Sequence, residues 1–137
     1  MLKRIFVVAV FFLTIICLWT VTAVPIFENH ADKFEVTYKA SSTANFINLT
    51  KKEFKFKSGI KSESADIKLN AFNLKEFLDV YDAEMVFIEK TEAGVSYYAY
   101  SNKIKYKKII DGKKINLHIN ISNDGVTVGS PIIFGGF

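Results

Sequence analysis

With 137 residues, half of them hydrophobic, the chain has room for one globular domain and at most a targeting segment besides it. The formal charge is +4, but Lys3 and Arg4 sit in an apolar N-terminus, which leaves +2 on the rest, and Arg4 is the single arginine; a nearly neutral, arginine-free domain is poorly equipped to clamp phosphates or read base edges, so nucleic acid is not an expected partner. One cysteine, Cys17, excludes an internal disulfide, and the two widely separated histidines, His30 and His118, offer no ligand spacing, so neither a metal nor another cofactor is expected.

The first element follows from Lys3 and Arg4 and the uncharged run from Ile5 to Phe27, the pattern of an export signal. Val21-Thr22-Ala23 presents small or β-branched side chains where a signal peptidase reads, so cleavage after Ala23 would leave Val24 first. A run of about 20 apolar residues also suits an uncleaved anchor with its basic end inside. Residues 1–27 are therefore expected to be a signal peptide or an N-terminal membrane anchor, and 28–137 a single extracytoplasmic domain. Thr14-Ile15-Ile16 ahead of Cys17 lacks the small residue that lipid attachment requires.

Beyond the signal, apolar and polar residues alternate at period two in Phe54–Lys57, Ile67–Asn70 and Ile115–Ile121, as half-buried strands do. Between these lies one helix, expected over about 73–82. Asn73 can cap it, Glu76 can complete a capping box, and Phe72 can staple onto Phe77. Leu74, Phe77, Leu78 and Tyr81 then form a single apolar stripe for packing on the sheet. A strand from about Ala83 to Lys90 and another from Val95 to Ser101 should pair through Glu92-Ala93-Gly94. Asp111-Gly112 predicts a two-residue hairpin of the type that needs positive φ at both positions, joining about 104–110 to 113–122. The tail, Ile132-Ile133-Phe134, is too apolar to leave wet and is expected to tuck against the sheet, with Pro131 at an edge and Gly135-Gly136 letting Phe137 fold back. The fold class is α+β: an antiparallel, twisted sheet of about five to seven strands, the helix packed on it and the apolar signal or anchor helix in front.

Candidate chemistry is sparse. His118 falls on the polar phase of its strand and reads as a solvated histidine, with no serine or cysteine nucleophile in an elbow to accompany it. Asp79, Asp82 and Glu84 near the helix end read as wet surface. No catalytic residue is expected. In Tyr97-Tyr98-Ala99-Tyr100 the alternation sends Tyr98 and Tyr100 to one face, where rings on a rigid strand can stack on sugars or dock a partner. Lys103 and Lys105 follow closely, and the expected ligand or partner surface is Tyr98, Tyr100, Lys103 and Lys105.

Asp111-Gly112-Lys113-Lys114-Ile115-Asn116-Leu117 and Thr127-Val128-Gly129-Ser130-Pro131-Ile132-Ile133 resemble the C-terminal third of the YwmB-like exported proteins of sporulating Firmicutes. The resemblance implies export and no catalytic residues; that family's name is attached in places to a TATA-box-binding-like fold. Abundant Lys, Asn, Ile and Phe with so little Arg also fits an AT-rich genome. The expectation is a non-catalytic, envelope-associated binding or accessory domain of a low-GC Gram-positive bacterium, its partner a cell-wall polymer or another envelope protein. Alternatives are a structural subunit of an envelope or sporulation assembly and a cell-wall hydrolase.

Overall fold

The computed structural model describes residues 2–21, 23–39, 45–55, 59–92 and 94–133. Helix α1 (Leu2–Val21) leads the chain, and on it Ile5, Phe6, Phe11 and Leu13 are 63, 70, 64 and 66 % exposed. Among the described residues no helix is long and apolar enough to cross a membrane.

The strands are β1 (Lys33–Thr37), β2 (Ile47–Thr50), β3 (Ser62–Ile67), β4 (Ala83–Thr91), β5 (Gly94–Ser101), β6 (Lys108–Ile110), β7 (Lys113–Ile115), β8 (Leu117–Ile121) and β9 (Val126–Ser130). Seven form one sheet in the order β2-β1-β3-β9-β8-β5-β4, with every pairing antiparallel, and β6 pairs with β7 apart from it. The last strand, β9, lies between β3 and β8 and so joins the N-terminal strands β2-β1-β3 to the C-terminal strands β8-β5-β4. Pro131 follows it. The proline is buried at the end of a central strand rather than at an edge, and it is tolerated there because ladder pairing stops at Ser130.

Helix α3 (Leu74–Tyr81) forms where its cap predicts: the Asn73 side chain accepts from the backbone N–H of Lys75 at 3.0 Å and of Glu76 at 3.3 Å. Phe72 meets Phe77 at 5.2 Å between ring centroids, and Asp82 ends the helix in the left-handed region at φ 50°. The cross-strand partners Phe34 and Leu49, Ala65 and Val128, Ile119 and Val128, and Ala99 and Leu117 put one apolar face under Phe77 and Tyr81. That face and Phe27, which is fully buried and packs on both Phe77 and Tyr81, make the core.

Three expected strands differ. Of the expected strand Phe54–Lys57, Phe54 ends a helical turn, α2 (Lys51–Phe54), and Phe56 and Lys57 lie outside the described residues. The turn closes because the Thr50 N–H donates to Glu53 at 2.8 Å, and it lets Phe54 drop edge-on against Phe34. Ile67 closes β3 rather than starting a strand, and Leu69–Ala71 is a 3₁₀ turn. The run Ile115–Ile121 breaks at Asn116. Asp111 and Gly112 do both take positive φ, but β6 and β7 share only three rungs before the chain crosses to the large sheet. The buried Asn116 side chain explains the break. It accepts from the Ser101 N–H at 2.8 Å and donates to the carbonyls of Ser101 and Ile104 at 2.7 and 2.9 Å, standing in for the strand partner that the loop after β5 lacks.

Candidate functional site

The face of the sheet opposite the core is polar, and register sets its side chains in two rows running across the strands. In one row Glu35, Ser64, Gly129, His118, Tyr98 and Phe87 are successive partners. The second row is Asp66, Thr127, Asn120, Ser96 and Glu89. Over β1, β3, β9 and β8 this face opens as a groove of about 820 Å³, lined by parts of both rows, by the 31–33 and 122–124 segments and by Ile133.

Local bonds hold the groove side chains in place. The Thr127 hydroxyl donates to the Asp66 carboxylate at 2.7 Å, and the Asn120 amide donates to Ser96 Oγ at 3.0 Å. At the rim the Ser122 N–H donates to the Gly125 carbonyl at 2.9 Å and the Asp124 N–H to Ser122 Oγ at 3.2 Å. Ser64 and Asn120 are buried while Asp66 and Asn48 are exposed, so the groove grades from enclosed hydroxyl and amide groups to a wet carboxylate rim. Among the described residues its charges are Asp32, Glu35, Asp66 and Asp124 against Lys33. Among the described residues no cluster of His, Cys, Asp and Glu is arranged to hold a metal.

His118 is not the solvated histidine its strand phase predicts, for it is only 3 % exposed. Tyr98 stacks on one face of its ring at 4.3 Å, and its Nδ1 accepts the Ile133 N–H at 3.2 Å. Burial lowers its pKa to about 4, so the ring is neutral with Nδ1 unprotonated. The C-terminal segment lies over Gly129, where a Cβ would come within 2.7 Å of the Ile133 side chain and 2.9 Å of its backbone nitrogen. The expected tuck of the tail therefore holds for Ile132 and Ile133, both half-buried; Phe134, Gly135, Gly136 and Phe137 lie outside the described residues.

Of the expected surface, Tyr98 is sandwiched between Phe87, at 4.2 Å, and His118, so both of its ring faces are taken, and its hydroxyl donates to Glu89 at 3.1 Å. Tyr100 shares the polar face and stands opposite Glu84, half-buried. Lys103 and Lys105 are exposed on the loop after β5, where the Lys103 N–H donates to Ser101 Oγ. None of the four lines the groove.

A second buried ionisable group lies on the core side. Glu63 is 2 % exposed, and its carboxylate accepts the N–H of Ile26 at 2.9 Å and of Phe27 at 3.0 Å. Burial outweighs those two bonds and pushes its pKa up to about 7. The Tyr81 hydroxyl donates to the Ile26 carbonyl at 2.9 Å, so the segment just after α1 is strapped to the domain from two sides. Sequence reasoning passes over Glu63 and the groove alike. The period-two phase of Glu63, Ala65 and Ile67 carries a signal for the first, since it puts a carboxylate on an apolar face. The groove has no such signal, because its residues come from strands far apart in the chain.

Comparison with protein-family models, with curated proteins and with solved structures finds no match for this chain.

Proposed function

We propose that the chain is a non-catalytic binding or accessory domain of the cell envelope, held outside the cytoplasm, and that the groove is its binding face. The observation that carries this reading is the groove itself: hydrogen-bonding side chains at fixed positions on neighbouring strands form a site needing little reorganisation to bind. The two groups whose proton affinity burial displaces most usefully for chemistry, Glu63 and His118, are committed to holding backbone N–H groups of the 26–27 and 133 segments. Neither lines the groove, which favours binding over acid–base turnover.

Export by residues 1–27 is supported by α1, whose exposed apolar side chains are costly in water and are relieved if the helix is removed as a signal or enters lipid. The resemblance of residues 111–117 and 127–133 to YwmB-like exported proteins belongs to the same proposal. A structural role has one specific observation in its favour: β4 is a nine-residue edge strand on which Ile88 is 53 % exposed. The irregularity between Met85 and Phe87 on that strand works against edge pairing.

The test is retention of the chain on purified cell wall and on detergent-solubilised envelope proteins. Retention without release of soluble sugar is expected, and retention on neither overturns the reading. Release of reducing ends that Glu35→Gln or Asp66→Asn abolishes would instead establish a hydrolase working through the groove carboxylates.

A further inference from the structure

Resting on that binding reading, we infer that the groove takes a linear glycan carrying free amino groups, laid across the strands. Strands stand about 4.8 Å apart, so β1, β3, β9 and β8 span roughly 14 Å. Within that span Asp66, Thr127 and Asn120 place one hydrogen-bonding group on each of three successive strands. That repeat is comparable to the length of one pyranose unit, so an extended chain of about three sugars meets a polar side chain at each ring.

The side chains suit sugar hydroxyls, which both donate and accept: the Thr127 and Ser64 oxygens accept while their hydrogens point to Asp66 and the Glu35 carbonyl, Asn48 and Asn120 carry a donor and an acceptor, and Asp66 accepts. A volume of about 820 Å³ lies within the range of small-ligand sites.

Charge narrows the class. Four carboxylates against Lys33 repel phosphate- or uronate-bearing polymers and attract ammonium groups, although the chain as a whole is positive. Among the described residues the aromatic ring in the lining is Phe34, which is fully buried, so hydrogen bonds and charge are what these residues offer a ligand. A cationic peptide would answer the charge equally well, but it normally gains affinity by main-chain pairing at a sheet edge. Strands β3 and β9 are paired on both sides, leaving only side chains to offer.

The experiment is calorimetric titration of the full chain, in a sugar-free detergent, with a glucosamine hexamer, its fully N-acetylated counterpart, an oligolysine of equal charge and a polyglutamate. The glucosamine hexamer should bind at least about tenfold more tightly than the other three. Asp124→Lys and Asn48→Ala, both at exposed positions, should each weaken it by about tenfold or more with the thermal midpoint unchanged. Equal binding of oligolysine would mean that charge alone acts, and equal binding of the acetylated hexamer would remove the amino group from the recognition; either overturns the inference. Wall retention that survives both substitutions would leave the binding function standing and move it out of the groove, whereas loss of all retention by the unaltered chain would remove the function with it.

Discussion

Glu63 and His118 carry opposite pH dependences that nearly hide each other. The folded state raises the Glu63 pKa from 4.5 to about 7, so its contribution to stability is complete below 4.5 and is lost as pH rises through 7. His118 is lowered from 6.5 to about 4, so its contribution is complete above 6.5 and is lost as pH falls through 4. Each displacement is worth about 3 kcal/mol. Urea midpoints of the unaltered chain should therefore change little between pH 4.5 and 6.5. Glu63→Gln should expose a stability that rises over that window, and His118→Phe, which keeps a ring against Tyr98, one that falls. Flat profiles in both variants would mean that neither group is as desolvated as its packing implies.

At the scale of single elements, α3 depends on its cap and β9 on a missing side chain. Asn73→Ala removes the acceptor for two N–H groups and should lower the urea-derived stability by about 1 kcal/mol; an unchanged value would place the helix start elsewhere. Gly129→Ala puts a methyl where Ile133 and the carbonyl carbon of Ile132 already lie, the latter at 3.0 Å. Overpacking of this kind costs about 1–3 kcal/mol, and relief should come by lifting the tail, since the strand is pinned on both sides. Loss of the hydrogen-exchange protection of the Ile133 amide in this variant, with that of the Val128 amide retained, would report it. The same glycine explains why a short, plain strand can hold the centre of the sheet: it clears the space in which the chain turns back.

For the whole molecule, the consequence of β9 joining the two sets of strands is that a strand late in the described chain closes the sheet. Ile132 and Ile133 are half-buried over the polar face, and the Ile133 N–H is spent on His118. Deleting Ile132 to Phe137 should cost roughly 2–4 kcal/mol, reckoning two partly buried isoleucines and one hydrogen bond. Unfolding followed separately by fluorescence and circular dichroism should stay coincident, because neither set of strands keeps a complete core alone. A truncated chain that kept its midpoint but lost a partner would make the tail a docking peptide.

What depends on neighbours along the chain is legible from the residues alone. The α3 cap and stripe, the Phe72–Phe77 staple, the Asp111-Gly112 turn, the β4–β5 hairpin and the α+β class are set by local backbone chemistry and by period, and all are found. Tertiary structure decided what depends on partners distant in sequence. Phe54–Lys57 alternates like a strand, but Phe54 belongs to a helical turn because Glu53 closes it and Phe34 receives the ring. His118 sits on the polar phase, yet the tail and Tyr98 enclose it. Glu63 is polar in any sequence count, and only the amides of Ile26 and Phe27, from the far side of β1 and β2, make its burial tolerable. The groove is of the same kind: Asp66 and Thr127 are 61 residues apart, and they become neighbours only when the last strand inserts between the third and the eighth, an event of chain topology that no local pattern encodes.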